Sequence, residues 1–486
     1  MSNYREASAV LLLRGSGADL EIYLVERSPE LRFFGGYHAL PGGVVEPEDG
    51  SACSDRDATL RRCAMRELFE ETGVILADAD KSQRADVRKA LLEGDHGPWQ
   101  LLLESAGVVA EFREACEITT PPFAPVRYET LFLAAELPEG EHPEIWAGEL
   151  VSGRFWRPAD ALEAWRCGEL LIVPPVLLLL ELLIDGDVDA ALVASRNMAD
   201  GLAAGDLHRV RFSPGVIMAS LVTPTVPPAT TTNCLIVGEE SLFIIDPAPP
   251  DATEQQRLCD LLRELQGEGR ILEAILLTHH HPDHVGAVPV VSEEFDLPVR
   301  AHPLTLERVA PANVGAPIHD GDRLQLGRAP DGSPGWFLEA VFTPGHDRGH
   351  LCFRESRYQA LIAGDMVSTV STIVIDPPEG HMQTYMDSLD RLARLPMSML
   401  YPAHGPAFRD GQALVERYID HRGYRQSLIE ETLKTGSSTA EGLLPVVYAD
   451  TDERMCPLAA RSLLAGLEML AERGKASEDG GIWSYD

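Results

Sequence analysis

The chain is short of basic and of aromatic side chains. It has 41 lysines and arginines against 76 acidic residues, for a formal net charge of −35, and Phe, Tyr and Trp together make up 6%. A field of that sign repels phosphate backbones and anionic lipid surfaces unless a local basic patch reverses it, so a general nucleic-acid or membrane-surface role is disfavoured. Cysteine is sparse and scattered: Cys53, Cys63, Cys116, Cys167, Cys234, Cys259, Cys352 and Cys456 form no C-x-x-C pair. In a chain this long they read as reduced thiols, and a cytoplasmic location is expected. The longest apolar stretch, Leu170 to Ile184, is interrupted by Pro174, Pro175 and Glu181 and is too short to cross a bilayer. The opening MSNYREASAVLLLRG lacks a small-residue cleavage site and reads as a first strand.

What is present is ordinary for a globular protein, with 45% hydrophobic residues. At 486 residues the chain exceeds one core, and two or three domains are expected. The densest chemistry lies at Thr278-His279-His280-His281-Pro282-Asp283-His284, directly after the apolar run Ile275-Leu276-Leu277. That placement puts it where a buried strand ends and a loop begins. Imidazole and carboxylate donors this close suit a borderline cation such as zinc, with room for two ions. A solvated His-rich loop or a tag is the alternative, but a tag sits at a terminus and lacks the intercalated Asp.

The first third opens with two strand-like runs, Ala7 to Leu13 and Glu21 to Val25, joined by Gly15-Ser16-Gly17. A helix is expected from about Ala58, with Asp57 as its N-cap and Gly73 as its stop. Its apolar stripe is Leu60, Ala64 and Leu68. Glu67, Glu70 and Glu71 crowd one edge beside it, and Arg66 can pair with Glu70. Crowded carboxylates repel unless a cation sits among them, and hard oxygen ligands suit Mg²⁺ or Mn²⁺. On charge alone a solvated acidic face is the competing reading.

Gly42-Gly43 followed by Arg66-Glu67-Leu68-Phe69-Glu70-Glu71-Thr72-Gly73-Val74 resembles the Nudix box, G-x5-E-x7-R-E-U-x-E-E-x-G-U, in which U is a bulky aliphatic residue. The second half matches without a gap. The stretch from Gly43 to Arg66 is longer than the box allows, and the upstream Glu has no unambiguous counterpart. The runs Thr120-Pro121-Pro122, Arg127 to Phe132, and Glu149 with Phe155-Trp156-Arg157-Pro158 are similar to the Nudix subgroup of coenzyme A diphosphatases. The resemblance implies that Glu67, Glu70 and Glu71 hold Mg²⁺ or Mn²⁺, that Arg66 orients a carboxylate, and that Glu149 is a further ligand or base. The implied chemistry is water attack on a diphosphate linked to another moiety.

Beyond Asp206 the pattern turns to short β-like runs, with Asp185 to Asp206 read as a linker or connecting helix. Leu235-Ile236-Val237 and Leu242 to Ile245 form a hairpin signal closed by Asp246-Pro247. Three later apolar strands each end on a candidate ligand: Ala340 to Phe342 before His346, Ala360 to Ala363 before Asp365, and Met399 to Tyr401 before His404. Taken singly, each of these residues is more often structural than catalytic. As an ordered set after THHHPDH they resemble the metallo-β-lactamase superfamily, an αββα sandwich with a dinuclear site. The resemblance implies one metal on His279, His281 and His346 and a second on Asp283, His284 and His404, with Asp365 bridging. The expected ions are two Zn²⁺, or Fe or Mn, and Asp283 is also expected to orient the attacking water. His350 reads as a supporting residue, His280 as pointing away, and His302, His319 and His381 as surface or supporting groups.

Tyr385 to Leu389 and Tyr418 to Arg422 resemble the lactamase-beta-2-like subgroup, which appends a winged helix. A helix from about Pro457 to Arg473 and a tail with Ile482-Trp483 fit that appendix. The subgroup's G-T-N-T-Y-L stretch stands here as Thr230-Thr231-Thr232-Asn233-Cys234-Leu235. The expected architecture is therefore a multidomain α/β and α+β chain. It has a Nudix-like α/β/α domain over 1–184, a linker over 185–207, a metallo-β-lactamase-fold domain over 208–411 and a winged-helix-like domain over 412–486. The expected function is hydrolysis of a thioester or ester, with a small-molecule substrate such as coenzyme A or acyl-coenzyme A, and a Nudix-type diphosphate site in front. A phosphodiesterase or single-strand endoribonuclease is the alternative. A further one makes the Nudix half a nucleotide-binding regulatory module.

Overall fold

The structure, a computed structural model, describes residues 4–31, 34–50, 55–78, 81–105, 107–108, 111–146 and 148–486. Cys53 and residues 1–3 lie outside them; the other seven cysteines are free. The chain divides into two compact units, Met1–Pro214 and Gly215–Asp486.

The first unit is built on a mixed sheet. Strands β1 (Tyr4–Arg14), β2 (Glu21–Arg27), β3 (His38–Ala39) and β4 (Gly42–Val44) precede helix α1 (Arg56–Thr72). The short strands β5 (Ala77–Asp78) and β6 (Gly107–Val108) bracket α2 (Arg84–Leu92) and α3 (Gly97–Ser105). After them come β7 (Arg113–Thr119), β8 (Arg127–Glu136), β9 (Leu150–Trp156), α4 (Pro158–Arg166), α5 (Pro174–Leu182) and α6 (Val188–Ala204). The main order is β3-β2-β1-β8-β7, with β4 on β1 and β9 on β2. β1 and β8 pair in parallel along their length, from Tyr4 opposite Arg127 to Leu13 opposite Glu136. Leu60, Ala64 and Leu68 of α1 are buried against Val10, Leu12, Leu131 and Leu133, so the apolar stripe read from the sequence is the face that meets the sheet.

Helix α1 starts slightly earlier than expected. Asp55, not Asp57, is the N-cap: its backbone is extended and its carboxylate accepts from Ala58 N at 2.8 Å. Asp57 lies inside the first turn and pairs with Arg61 at 2.7 Å. Gly73 closes the helix at φ 71°, a left-handed conformation that suits glycine. The Asp185 to Asp206 stretch contains α6, which is capped by Asp187 and packs on β7: Ser195 Oγ donates to the Ala115 carbonyl at 2.9 Å and Arg196 to that of Glu114 at 2.7 Å.

The second unit contains two larger sheets. The first takes β10 (Val216–Val222), β11 (Thr231–Gly238), β12 (Ser241–Ile245), β13 (Ile271–Leu276) and β14 (Val299–Arg300) in sequence order. Between them run α7 (Ala252–Gly267), α8 (Pro282–Val285) and α9 (Val288–Phe295), and α10 (Pro303–Val309) follows. The second sheet takes β15 (Arg323–Arg328), β16 (Pro334–Phe342), β17 (Leu351–Glu355), β18 (Ala360–Gly364), β19 (Met399–Pro402) and β20 (Phe408–Arg409), with α11 (Met382–Leu392) crossing over from β18 to β19. Every residue of β11 and of β18 is buried. Burial of consecutive residues requires cover on both faces of a strand, which is the environment of an inner layer of a sandwich.

The C-terminal part holds α12 (Gly411–Thr435), β21 (Ser438–Thr439), α13 (Ala440–Val447), α14 (Cys456–Glu472), β22 (Ala476–Asp479) and β23 (Ile482–Tyr485). The three strands form a small sheet, β21-β23-β22, and Trp483 packs with Leu443, Leu463 and Leu467 in its core. Among the described residues, no helix is long and apolar enough to cross a membrane.

Candidate metal centre

In the second unit the candidate donors stand at the C-terminal ends of strands from both sheets. β13 runs into Thr278 and the histidine loop, and α8 begins at Pro282 so that His281 precedes its first turn. From the other sheet, β16 leads to His346, β18 to Asp365 and β19 to His404. His279 and His284 are fully buried, and His346, Asp365 and His404 are nearly so.

The hydrogen bonds behind the rings decide which nitrogen each one presents. His346 Nδ1 donates to the Val374 carbonyl at 2.8 Å and His404 Nδ1 to the Thr231 carbonyl at 3.0 Å. His279 Nδ1 meets Thr278 Oγ1 at 2.9 Å, and that hydroxyl donates to Asp246 Oδ2 at 2.6 Å. His284 Nδ1 lies 2.8 Å from the same Asp246 oxygen. A ring engaged through Nδ1 keeps Nε2 for the site. His281 is the exception: its Nδ1 stands 3.0 Å from His279 Nε2 and 3.1 Å from His346 Nε2.

Three nitrogens at tetrahedral Zn–N distances of about 2.0–2.1 Å are separated by about 3.3 Å, so this triad has the spacing a single ion needs. Asp365 faces two ways. Its Oδ2 is 3.5 Å from His346 Nε2, and its Oδ1 is 3.4 Å from His404 Nε2 and 3.6 Å from His284 Nε2. Asp283 Oδ2 is 3.7 Å from His404 Nε2. His284 Nε2 and Asp365 Oδ1 are both buried without a hydrogen-bond partner. Two orphaned buried polar atoms facing one another are costly in an apolar interior, and a cation between them removes the cost. The donor set therefore fits two divalent ions.

The two groups of histidines sit in different electrostatic surroundings. Burial, reinforced by neighbouring rings, holds His279 well below its ordinary pKa and brings His281 to about 4, leaving neutral imidazoles. Burial also opposes charge on His284 and His404, but the carboxylates win: Asp365 and Asp246 raise His284 well above its usual value, and Asp365 raises His404. Asp365 is held well below the usual carboxylate range by His404 and His284, despite its burial.

His350 is fully buried; its Nδ1 donates to Thr343 Oγ1 at 2.9 Å and its Nε2 accepts from Asp365 N at 3.1 Å, which fixes the backbone of Asp365. Gly364, at φ 50°, has no room for a side chain, since a Cβ would come within 2.6 Å of His350 Nε2. His280 turns from the donor triad to pair with the Asp347 carboxylate. His302 stacks on Phe342, with His319 beside it, and His381 caps α11.

In the first unit, Arg66 is the organising side chain and is buried. Its Nε and Nη2 each donate to Asp49 at 2.8 Å, and its Nη1 donates to Glu67 at 3.0 Å and Glu70 at 3.3 Å. Gly42 N donates to Glu71 at 2.9 Å, and a Cβ on Gly43 would lie 2.3 Å from Glu67 Oε1. The structure thus gathers Gly42, Gly43, Arg66, Glu67, Glu70 and Glu71 in one place. Burial is the largest influence on all three glutamates: it pushes Glu67 up to about 7, Glu71 well above its usual range, and Glu70 upward. Partly buried carboxylates crowded in one place are what a hard cation stabilises. Glu149 is exposed; its backbone carbonyl accepts from Ser28 N at 2.7 Å, and among the described residues no hydrogen bond or ion pair joins its carboxylate to the other three.

Residues 227–404 match the metallo-beta-lactamase superfamily, 439–483 the beta-lactamase associated winged helix domain, and 3–96 the NUDIX domain. The chain belongs to the metallo-β-lactamase superfamily. It carries a Nudix domain in front and a winged helix behind. The lactamase-like protein adaB of Aspergillus niger is 32% identical over 205 residues, which cover 42% of this chain and 59% of that protein. The atrochrysone carboxyl ACP thioesterase nsrC of Aspergillus novofumigatus is 30% identical over 236 residues, covering 48% and 67%. A metallo-beta-lactamase family protein of Thermus thermophilus of known structure is 24% identical at a TM-score of 0.47, covering 56% of this chain and 99% of that one. The chain thus spans less than two thirds of the Aspergillus niger relative.

Two residues of the metallo-β-lactamase domain are not singled out by the sequence reading. Asp246, at the end of β12, supports both Thr278 and His284, yet in sequence Asp246-Pro247 is an ordinary strand stop. Asn233 Nδ2 donates to the carbonyls of Pro402 and Gly405 at 2.9 and 2.8 Å, clamping the segment that carries His404. In the Nudix domain the missed residue is Asp49. It stands where G-x5-E, counted from Gly43, calls for the glutamate, so a strict count with Asp allowed for Glu finds it.

Proposed function

We propose that the metallo-β-lactamase domain is a dinuclear metal-dependent thioesterase, acting on an acyl group carried by coenzyme A or an acyl carrier protein. The observation that carries the dinuclear reading is Asp365, whose two oxygens reach toward His346 on one side and toward His284 and His404 on the other. His279, His281 and His346 would hold one ion and Asp283, His284 and His404 the second, with Zn²⁺ favoured by the nitrogen-rich set. Ions bound there supply Lewis acidity, polarising an acyl carbonyl and acidifying water. The chain's own part is preorganisation. The bonds behind His279, His284, His346 and His404 fix their tautomers, His350 holds the Asp365 backbone, and Asp283 lies where a carboxylate can take a proton from water.

A cavity of about 440 Å³ is lined by Pro344, Gly345, Arg348, Pro378, Glu379, His381 and Thr384, of which Gly345 directly precedes His346 in the chain, and it would offer space for part of a substrate. The thioester preference is supported by the relative named as an ACP thioesterase. For the Nudix domain the proposed activity is Mg²⁺- or Mn²⁺-dependent hydrolysis of a coenzyme A-like diphosphate. Glu67, Glu70 and Glu71 would hold the ion, and Arg66 would fix Glu67 and Glu70. A cytoplasmic setting is proposed with it, supported by the scattered free cysteines.

The test is a parallel substrate screen on the wild type, Asp365→Ala and Glu70→Gln, supplied with Zn²⁺ and Mg²⁺. Release of free thiol from acyl-coenzyme A or acyl-pantetheine is expected in the wild type and Glu70→Gln and absent in Asp365→Ala. Phosphopantetheine release from coenzyme A is expected in the wild type and Asp365→Ala and absent in Glu70→Gln. Neither product from the wild type would refute both assignments.

A further inference from the structure

Residues 373–377, between β18 and α11, adopt neither helix nor strand, so no ladder of backbone hydrogen bonds fixes their path. Their polar groups are taken instead by side chains of the C-terminal helices. Arg422 of α12 donates to the Ile373 carbonyl, and Ile375 N donates to Ser462 Oγ of α14 at 3.1 Å. Arg461 of α14 reaches Asp376 Oδ1 at 2.5 Å and the Pro377 carbonyl at 3.2 Å. Slightly upstream, the Tyr418 hydroxyl of α12 accepts from Ser368 N at 2.8 Å and donates to the Ser371 carbonyl at 2.7 Å. Arg422, Ser462, Ile373 and Ile375 are all buried. In the middle of this clamped stretch, the Val374 carbonyl points the other way and accepts the His346 Nδ1 proton at 2.8 Å.

We infer that Ser462, Arg461 and Arg422 are positioning residues for the metal centre, holding the Val374 carbonyl where it fixes the tautomer and plane of His346. The winged-helix part is thereby joined to the ligand set of the metallo-β-lactamase domain through one loop. A carbonyl can orient an imidazole only if its own peptide is held, and here the peptide groups on either side of residue 374 are held by α12 and α14. The inference rests on the reading that His346 is a metal ligand.

Co²⁺ titration of the full chain separates the two, with the d–d absorption of the bound ion as a signature of ligand geometry. Ser462→Ala and Arg461→Gln are the variants. Arg461 is half-exposed, so its replacement leaves the fold intact even where Ser462→Ala proves unstable. Arg473→Ala is the control: Arg473 ties the end of α14 to Gln383 at 2.9 Å and does not touch the loop.

Expected are a loss of affinity for the first Co²⁺ ion in Ser462→Ala of about 10–100-fold, a smaller loss in Arg461→Gln, and altered spectra in both. Arg473→Ala should match the wild type, and Ser462→Thr, which keeps the accepting oxygen, should restore affinity. Wild-type affinity and spectrum in both loop variants, or an equal loss in Arg473→Ala, would overturn the inference alone. No Co²⁺ uptake by the wild type would overturn the metal reading and the inference with it.

Discussion

Asp246 supports two members of the donor set from behind: its Oδ2 receives the Thr278 hydroxyl at 2.6 Å and faces His284 Nδ1 at 2.8 Å. Asp246→Asn is expected to weaken binding of the ion proposed on the His284 side by about 10–100-fold and, through Thr278, that of the ion proposed on His279, His281 and His346 by less. A Zn²⁺ titration against a competing chelator measures it, and equal weakening of both ions would contradict the assignment. In the Nudix domain the relevant quantity is charge. Burial raises Glu67 to about 7 in the folded chain, above its ordinary value of 4.5. Its folded-state pKa exceeds the unfolded one, so its contribution to stability is present below about 4.5 and is lost as pH rises through about 7. Mg²⁺ needs the ionised form and binds more tightly across the same window. Thermal melts with and without Mg²⁺ from pH 4.5 to 8 should diverge as pH rises, and Glu67→Gln should reduce the divergence. Parallel curves would refute a metal role for this carboxylate.

At the scale of elements, strand ends place the chemistry, and tight backbone turns let them converge. Gly364→Ala tests this directly, because the position combines φ 50° with a Cβ that would approach His350 Nε2 to 2.6 Å. Lower thermal stability together with weaker metal binding is expected. An unchanged melting temperature would show that the turn has slack. Much of this layout is legible in the chain. THHHPDH, His346, Asp365 and His404 each follow an apolar run and stand beside small residues or proline, so the strand-end reading needs only local pattern.

Supporting contacts are less legible because they depend on three-dimensional neighbours. Asn233 acts through Pro402 and Gly405, about 170 residues away, and no local pattern reports that. Asp49 is hidden by the long connection from it to Arg66, which breaks the spacing of the box although the ion pair is formed. The run from Asp185 to Asp206 resembles a linker because Ala, Asp and Gly dilute its stripe. Only Ala191 and Leu192 are buried apolar residues there, and its hydrogen bonds to β7 come from Ser195 and Arg196, polar residues that a hydrophobic pattern does not count.

For the whole molecule, the two candidate sites lie in separate compact units, each with its own core. Asp365→Ala and Glu70→Gln should therefore act additively, the double variant losing both activities with no further change in either. Loss of thioester hydrolysis in Glu70→Gln alone would reveal coupling. The net charge of −35 sets a second expectation, that labelled single-stranded RNA is not cleaved. Salt-sensitive cleavage lost in Asp365→Ala would instead favour the endoribonuclease reading.

The central claim is that seven side chains on the strand ends of the second unit hold two ions bridged by Asp365. Native mass spectrometry of the Zn²⁺-loaded chain tests it most directly, in a Glu70→Gln background so that the Nudix carboxylates do not add a third ion. The account predicts two Zn²⁺ per chain, falling to one or none when Asp365→Ala is added. A single ion in the parent, or two ions retained without the Asp365 carboxylate, would contradict it.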